Sequence, residues 1–448
     1  MTTLLSIEWA SVGVKTLQFI LSFSILVVLH ELGHYLPARW FKCRVDKFYL
    51  FFNPYFSLYK KKIKDTEWGI GWIPFGGYVK IAGMIDESMD KEQMKLPAEP
   101  HEFRSKPAWQ RLIIMIGGVV VNILLAIVIF IGITNVWGDE HLPPQNLKHG
   151  IYADSLAQTI GIRTGDNIIA VDHKAIEDIN SIEAEIGLKD AKTITVLRNN
   201  QQIDISIPPT FISEISKNKF KGLVIPQFAT IVDSVSPKAQ FTSGELKKGD
   251  TIIALNNKHC EYYHEFVKMR DAFKDSIVTL TVIRSKDTVA LRCLLKDGKV
   301  GFDPVTPEKQ FGTIHKSYGF FEAIPVGFSR CFETLDRYIT GIKQIFSGKV
   351  KANDSLGSVI SIGNTFPAVW DWQRFWTLTG IFSIILAFMN ILPIPALDGG
   401  HALFTIIEII TRRKPSEKFM EIAQTVGMIL LLGLMAYALG LDFWRLFK

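Results

Sequence analysis

The chain has 448 residues, of which 48% are hydrophobic and 21% are charged, and its formal net charge is +6. This mixture excludes a purely soluble globular domain and also a bare bundle of membrane helices. The four cysteines show no Cys-x-x-Cys spacing, which argues against a disulfide scaffold and against a thiolate zinc site.

Four apolar stretches are each long enough to cross a bilayer as a helix, which needs about 20 residues. They run over residues 12–32, 112–136, 375–397 and 422–441, and with their flanking residues they occupy 1–38, 109–137, 372–400 and 422–444. The first stretch lacks a basic start and an Ala-x-Ala cleavage site, so we expect it to be retained rather than removed as a signal peptide. The expected fold class is a polytopic α-helical membrane protein with inserted domains.

Lysine and arginine concentrate in two connections, residues 39–108 and 401–421. Basic connections stay in the cytoplasm, so both termini and the long segment that begins at Gly138 should lie on the opposite side, which in a bacterium is the periplasm. The positive net charge therefore indicates topology. We expect no nucleic-acid partner, because no basic stripe interleaved with aromatic residues occurs.

The first span contains His30-Glu31-Leu32-Gly33-His34. On a helix, residues i and i+4 share a face, so His30 and His34 can bind one Zn²⁺ while Glu31 activates a water molecule. An idle copy of this motif is disfavoured at membrane depth because its charge and imidazoles would have to be buried there. The alternative is a group of helix-end polar residues that extend to the lipid headgroups.

The connection 39–108 includes Trp72-Ile73-Pro74-Phe75-Gly76-Gly77-Tyr78-Val79-Lys80, which reads as a β-turn-β loop within residues 70–81. Its open edge could hold an unwound substrate as an added strand, with Gly76, Gly77 and Tyr78 in contact with it. The alternative is an ordinary cytoplasmic hairpin.

The long outer segment contains an internal repeat, because Gly165–Asp172 recurs as Gly249–Asn256. Two copies of one small β-rich module are expected, at residues 138–213 and 214–310. A Gly-Asp turn that leads into an apolar strand resembles the PDZ fold, and Gly222–Ile225 is predicted to be the strand beside the peptide groove of the second copy. The modules could bind extended peptides, or they could only restrict access by their bulk.

Residues 315–350 have apolar side chains at helical spacing, with Arg330, Arg337 and Lys343 on other faces. This pattern predicts an amphipathic helix lying on the membrane surface. Packing of the helix on the β-rich modules is the alternative.

A catalytic zinc commonly has three protein ligands, so the histidine pair needs a third. The third span ends in Asn390-Ile391-Leu392-Pro393-Ile394-Pro395-Ala396-Leu397-Asp398-Gly399-Gly400-His401. Two prolines break the helix and the glycines permit a reversal, so Asp398 can turn inward to the metal. The alternatives are that Asp398 simply faces the cytoplasm, or that His401 is the ligand.

Taken together, these motifs resemble the site-2 protease family of intramembrane zinc metallopeptidases, M50, and in particular its branch of sigma-E regulating proteases. The resemblance covers nearly the whole chain. It implies zinc ligation by His30, His34 and Asp398, general base catalysis by Glu31, and a role for Asn390 in substrate handling. One departure concerns the second span, where that family usually has Gly-Pro-x-x-Asn. Here Gly117-Gly118-Val119-Val120-Val121-Asn122 lacks the proline, which puts a helix bend in doubt.

The resemblance also implies the partners. Such proteases reside in the bacterial inner membrane with their PDZ domains in the periplasm, in contact with membrane lipid. They cut the transmembrane segments of single-pass proteins, namely an anti-sigma factor already trimmed by another protease, and remnant signal peptides. The PDZ pair would then exclude bulky substrates. Other function classes are a receptor that binds unfolded outer-membrane protein tails, and a zinc transporter, for which the second and fourth spans offer almost no intramembrane ligands.

Overall fold

The computed structural model describes residues 9–84, 97–188, 191–211, 214–215, 223–237, 239–296 and 298–446. The chain forms two compact units. We call Met1–Gly138, Ser317–Ile339 and Ser355–Lys448 the membrane unit, and Asp139–Lys316 with Thr340–Asp354 the β unit.

Within the described residues, twelve α-helices follow in chain order as α1 to α12. Their bounds are Trp9–Trp40, Ala108–Trp137, Ser155–Thr159, Ile182–Leu188, Tyr263–Arg270, Pro307–Phe311, Phe320–Phe346, Ala352–Ser355, Val359–Thr365, Trp372–Ile391, Asp398–Thr411 and Glu417–Leu446.

The described strands follow as β1 to β19. Their bounds are Val45–Phe52, Tyr59–Ile63, Thr66–Ile70, Ile73–Ile81, Asp139–His141, Ile151–Tyr152, Asn167–Val171, Lys174–Ala175, Thr193–Arg198, Gln201–Ser206, Ile225–Pro226, Val232–Val235, Gln240–Ser243, Thr251–Leu255, Lys258–His259, Ile277–Arg284, Asp287–Leu294, Phe302–Pro304 and Ile314–Lys316.

Helices α1, α2, α10 and α12 are the four described helices that are long and apolar enough to span a membrane. Helix α2 packs against both α1 and α10. The contact between α1 and α2 is a backbone contact, because Gly33 and Gly117 face each other without side chains. Small residues allow such close approach of membrane helices. Helix α10 joins α1 through a hydrogen bond of 2.8 Å between Ser22 Oγ and Thr379 Oγ1.

The third span is shorter than the hydropathy predicts. Helix α10 ends at Ile391, because Leu392 precedes a proline and proline disfavours a helical residue before it. The chain then turns, with Ala396 at a φ of 85°, and Asp398 begins α11. Residues 401–421 were predicted to be a loop, and this is wrong over residues 401–411, which belong to α11. Helix α11 packs on α2, where Ala402 joins a core with Ile114 and Met115.

A four-stranded sheet follows α1 in the order β2-β3-β1-β4. Strand β3 runs parallel to β1, whereas β4 runs antiparallel to it. The predicted β-turn-β loop within residues 70–81 is wrong, because Ile73–Ile81 form the single strand β4. The hairpin of this sheet lies earlier in the chain, where Ile63 pairs with Thr66.

The β unit contains the predicted repeat. Strands β10-β9-β7-β8 form the sheet of the first module and β13-β17-β16-β14-β15 that of the second, and the short pairs β11-β6 and β12-β18 also correspond. Each module has its own apolar core. In the first, Asp166 accepts hydrogen bonds from Arg198. In the second, Asp250 accepts them from Arg284.

The predicted boundary between the modules needs correction. Phe211, Ile215 and Leu223 are buried in the core of the first module, and Ile225 pairs with Tyr152 of the same module. The segment that includes Leu223–Ile225 therefore closes the first module and does not belong to the second, while Gly222 lies outside the described residues. The corresponding strand of the second module is β18, which pairs with β12.

Helix α7 packs within the membrane unit against α2 and α10. Gly327 lies against the backbone of Ile131, and Cys331 is buried with Phe130 and Ile384. The Arg330 guanidinium donates a hydrogen bond of 3.0 Å to Thr134 Oγ1. Neither predicted placement, on the membrane surface or on the β-rich modules, names the helices that this part of α7 contacts. The last part of α7 belongs to the β unit and does contact the first module, where Gln344 donates a hydrogen bond of 2.6 Å to the Gly187 backbone oxygen. Its phenylalanines at positions 320, 321, 328 and 332 remain exposed.

Candidate metal centre

Helix α1 brings two imidazoles into contact at its buried face. His30 and His34 are each only 7% exposed, and their Nε2 atoms lie 3.3 Å apart. Two neutral nitrogen lone pairs that face each other repel. The contact is therefore favourable only when a proton or a cation lies between the two rings.

Asp398, the first residue of α11, completes the cluster. Its Oδ2 atom lies 3.2 Å from Nε2 of His30 and 3.3 Å from Nε2 of His34. That same Oδ2 is buried and makes no hydrogen bond within the described part of the chain. A buried carboxylate oxygen without a donor, beside two imidazole nitrogens, is a ligand set that suits Zn²⁺.

The three ligand atoms all lie within 4.8 Å of one another, so one ion can contact them together. Two ligands come from the first described helix and the third from α11. Asp398 and His401 can therefore be compared as candidates for the third ligand. Asp398 faces the imidazoles, whereas His401 lines the neighbouring cavity and is not part of the three-residue cluster that the described residues form.

Helix α2 lies directly behind both imidazoles. The His34 Nδ1 atom is 2.8 Å from the Ile114 carbonyl oxygen, and the His30 Nδ1 atom is 3.1 Å from the side-chain nitrogen of Asn122. Between these two residues, Gly118 leaves room for the rings, because a Cβ atom there would lie 2.6 Å from Cε1 of His30. Aligned on Asn122, Gly118 takes the glycine position of the pattern Gly-Pro-x-x-Asn and Val119 the proline position, whereas aligned on Gly117 the proline is expected at Gly118. With either alignment, the rings leave no space for a side chain at Gly118.

Glu31 lies beside the cluster and lines the same cavity as His30, His34 and Asp398. The cavity is also lined by Gly77 and Tyr78 of β4, and by Gln424 of α12. A Cβ atom at Gly77 would lie 3.7 Å from Cγ of Glu31 and would overlap Val27, so the glycine allows β4 to approach α1. The cavity therefore extends from Glu31 to the residues of β4.

The predicted substrate-binding residues occupy different positions. The Asn390 side-chain nitrogen is 3.1 Å from Nε2 of His30, on the side where the metal would bind. Tyr78 stacks on Tyr49, with ring centroids 5.4 Å apart, and donates a hydrogen bond of 2.9 Å to Asn53. Gly76, at a φ of 129°, faces the Phe52 ring and not the cavity.

Three residues of the site were not assigned a role from the sequence: Gly118, Asn122 and Gln424. Gln424 is 4% exposed and lies on the fourth span. The signal that could have identified Asn122 and Gln424 is an amide side chain within a membrane span. Burying such a polar group in a bilayer costs free energy, so its presence commonly marks a functional site.

The chain matches the family model described as Peptidase family M50 over residues 18–434. It is similar to the Regulator of sigma-E protease RseP of Escherichia coli, at 27% identity over 96% of this chain and 98% of that protein. It is also similar to Protease RseP of Yersinia pestis, at 27% identity over 99% of this chain and 100% of that protein.

A relative from Rickettsia conorii, named as a zinc metalloprotease, is 29% identical over 96% of this chain and 98% of its own length. The family match covers nearly all of the chain, including the cluster of His30, His34 and Asp398. The chain therefore belongs to peptidase family M50, as a multi-pass membrane protein and zinc metalloprotease of the site-2 type.

Proposed function

We propose that His30, His34 and Asp398 hold the catalytic zinc and that Glu31 is the general base. The observation that carries this proposal is the position of Asp398 Oδ2, 3.2 Å and 3.3 Å from the two Nε2 atoms. Zinc at this place supplies a Lewis acid that polarises the scissile carbonyl and eases deprotonation of water. Glu31 takes the proton of the attacking water and passes it to the leaving amine.

The substrate of this enzyme is a transmembrane segment of a single-pass membrane protein. A helical substrate hides its carbonyl groups in hydrogen bonds, so it must unwind before a water molecule can attack. Strand β4 is the last strand of its sheet and lines the cavity through Gly77 and Tyr78. An unwound segment pairs with this edge as an added strand, while the Asn390 amide donates a hydrogen bond to the substrate carbonyl.

The β unit limits which substrates reach the cavity. We take its two modules to be PDZ-like domains, a reading supported by their shared strand order. Their bulk excludes proteins with a folded outer domain and admits segments that another protease has trimmed. Anti-sigma factors and remnant signal peptides fit this requirement. Two relatives support this proposal by their names, Regulator of sigma-E protease RseP and Protease RseP. The expected location is the bacterial inner membrane with the β unit in the periplasm.

The decisive experiment compares the wild-type chain with Glu31→Gln in detergent, using a single-span reporter. We expect the variant to lose about 10²- to 10⁴-fold in turnover, because proton transfer contributes that much, and to keep one zinc per chain. Glu177→Gln, at an exposed position of the β unit, is the matched control and should keep full turnover.

Addition of 1,10-phenanthroline should abolish cleavage by the wild type, and added zinc should restore it. Unchanged cleavage in the presence of the chelator would contradict the metal site. Full turnover of Glu31→Gln would contradict the role of Glu31. A chain that binds the reporter tightly but never cuts it would instead support the receptor alternative.

A further inference from the structure

Helix α2 presents three features in a row to the two imidazoles. These are the carbonyl oxygen of Ile114, the bare backbone of Gly118 and the side chain of Asn122. Residues four apart lie on one face of a helix, so the three positions form a continuous stripe. Two of them contact a ring nitrogen, and each contact is to the Nδ1 atom that faces away from the metal position.

The state of each Nδ1 atom decides whether the ring can bind a cation. An imidazole that ligates through Nε2 must carry its proton on Nδ1, and that proton needs an acceptor. For His34 the acceptor is the Ile114 carbonyl oxygen, which cannot donate. Its Nε2 lone pair is therefore directed at the cluster.

For His30 the corresponding partner is the carboxamide of Asn122, which can act in two opposite ways. With its nitrogen towards Nδ1, at 3.1 Å, the amide donates, the proton moves to Nε2, and the ring repels a cation. With the amide turned by 180°, the oxygen accepts from Nδ1 and the Nε2 lone pair is free for the metal. The two orientations differ only in an exchange of the side-chain oxygen and nitrogen atoms of Asn122.

Asn122 is held in place by the neighbouring helices. Its side chain is fully buried, and its Oδ1 atom makes no hydrogen bond within the described residues in the present orientation. The hydroxyl of Ser383 on α10 donates a hydrogen bond of 2.7 Å to the Asn122 backbone oxygen. This bond holds the backbone of α2 at Asn122 against the same helix that carries Asn390.

We propose that Asn122 is a positioning residue: its side-chain oxygen accepts the Nδ1 proton of His30 and keeps Nε2 of His30 available to the metal. This inference rests on the zinc site proposed above. In other metal sites a carboxylate or a backbone carbonyl group accepts the second ring proton of the histidine ligand. Here the second span serves this function through Asn122.

The test measures zinc affinity by competition with a chromophoric chelator for the full-length chain in detergent. Asn122→Leu keeps the size and removes the acceptor, so the dissociation constant should rise about 10- to 100-fold. Asn122→Asp can only accept from Nδ1–H, so zinc should bind as tightly as in the wild type, or more tightly. Thr379→Val removes another buried polar contact of the bundle, the one to Ser22, and should leave zinc affinity unchanged.

Thermal unfolding of the zinc-free proteins separates metal affinity from folding. An affinity of Asn122→Leu equal to the wild type would overturn the inference. Weak binding by Asn122→Asp would overturn it too, because it would mean that the amide nitrogen donates to His30. Should Asn122→Leu fail to accumulate, the Asp variant alone decides. A wild-type chain that binds no zinc would contradict the proposed site itself, which is a separate result.

Discussion

At the scale of single residues, the absence of one Cβ atom sets how closely α2 approaches the metal ligands. Gly118 lies so near both rings that any side chain would meet Nε2 of His34 and Cε1 of His30. The rings cannot withdraw, since each is held at Nδ1 by a group on the same helix. The position therefore tolerates glycine alone.

We expect Gly118→Ala to displace one imidazole, to weaken zinc binding at least about 10-fold, since mispositioned ligands typically cost that much, and to reduce turnover in parallel. Alanine itself favours the helix by about 1 kcal/mol, so a loss cannot come from helix propensity. Gly132→Ala on the same helix is the matched control, because no atom lies within 4 Å of a Cβ there. Equal zinc content in both variants, measured by elemental analysis, would refute the steric argument.

The sequence indicates the cluster of His30, His34 and Asp398 better than it indicates the residues that pack behind this cluster. His30, Glu31 and His34 form a local pattern whose spacing has a direct geometric meaning on a helix. Asp398 follows a pair of prolines, which marks the break that turns it inward. Asn122 and Gln424 have no such local pattern. Their contacts depend on how separate helices pack, and that information is not contained in spacing along the chain.

At the scale of elements, the aspartate of the Gly-Asp turn makes the same hydrogen bonds in both modules of the β unit. In each module the aspartate accepts from an arginine one hairpin away and from the backbone of its own turn, at Arg163 N in one copy and Lys247 N in the other. Asp250 is 1% exposed. The hydrogen bonds from Arg284 hold the pKa of the Asp250 carboxyl below its usual value.

Replacing Asp250 by alanine should destabilise the second module by about 3 kcal/mol, because the turn and the arginine lose a buried partner. Since the pKa is lower in the folded state, the carboxylate stabilises the module above about pH 4 and this contribution disappears as the pH falls further. Hydrogen exchange of strands β14 and β16 should therefore differ between wild type and variant at pH 7, and the difference should narrow as the pH falls below about 4. Asp287→Ala, at an exposed position of the same module, is the control, and a pH-independent difference would contradict the account.

The prediction of helices and strands was wrong where a sequence pattern is compatible with more than one local structure. Gly76 and Gly77 were predicted to form a turn, yet both lie within the single strand β4, where the missing side chain of Gly77 leaves room for Val27 of α1. Residues 401–411 were predicted to be part of a loop, although their apolar residues recur at helical spacing and pack on α2. The strand near residue 225 was assigned to the wrong module because a module closes only when its last strand returns to its first, across a long sequence distance.

At the scale of the whole molecule, the four spans follow from hydropathy alone, because a bilayer demands about 20 apolar residues per crossing. The number of β-rich modules follows from the repeat. The position of α7 does not, since its apolar residues predict a buried face without specifying the partner, and the partner is the pair α2 and α10.

We expect a reporter that carries a folded outer domain to be cleaved at least about 10-fold more slowly than its trimmed form, because in the proposed function the β unit excludes bulky substrates. Inserting a long Gly/Ser linker between the span and the outer domain should restore the rate, since a flexible linker moves the bulk away from the entrance. Rates are measured on the full chain in proteoliposomes. Equal cleavage of the trimmed and the untrimmed reporter would remove the size filter from the proposal.

The separation of the ligands along the chain has a consequence for biogenesis. His30 and His34 are synthesised early, whereas Asp398 is added only after both modules and the second span have left the ribosome. Until then the nascent chain carries only two of the three proposed ligands, so we expect it to bind zinc weakly. On the proposed assignment, the chain should gain peptide-bond cleaving activity only when its insertion into the membrane is nearly finished.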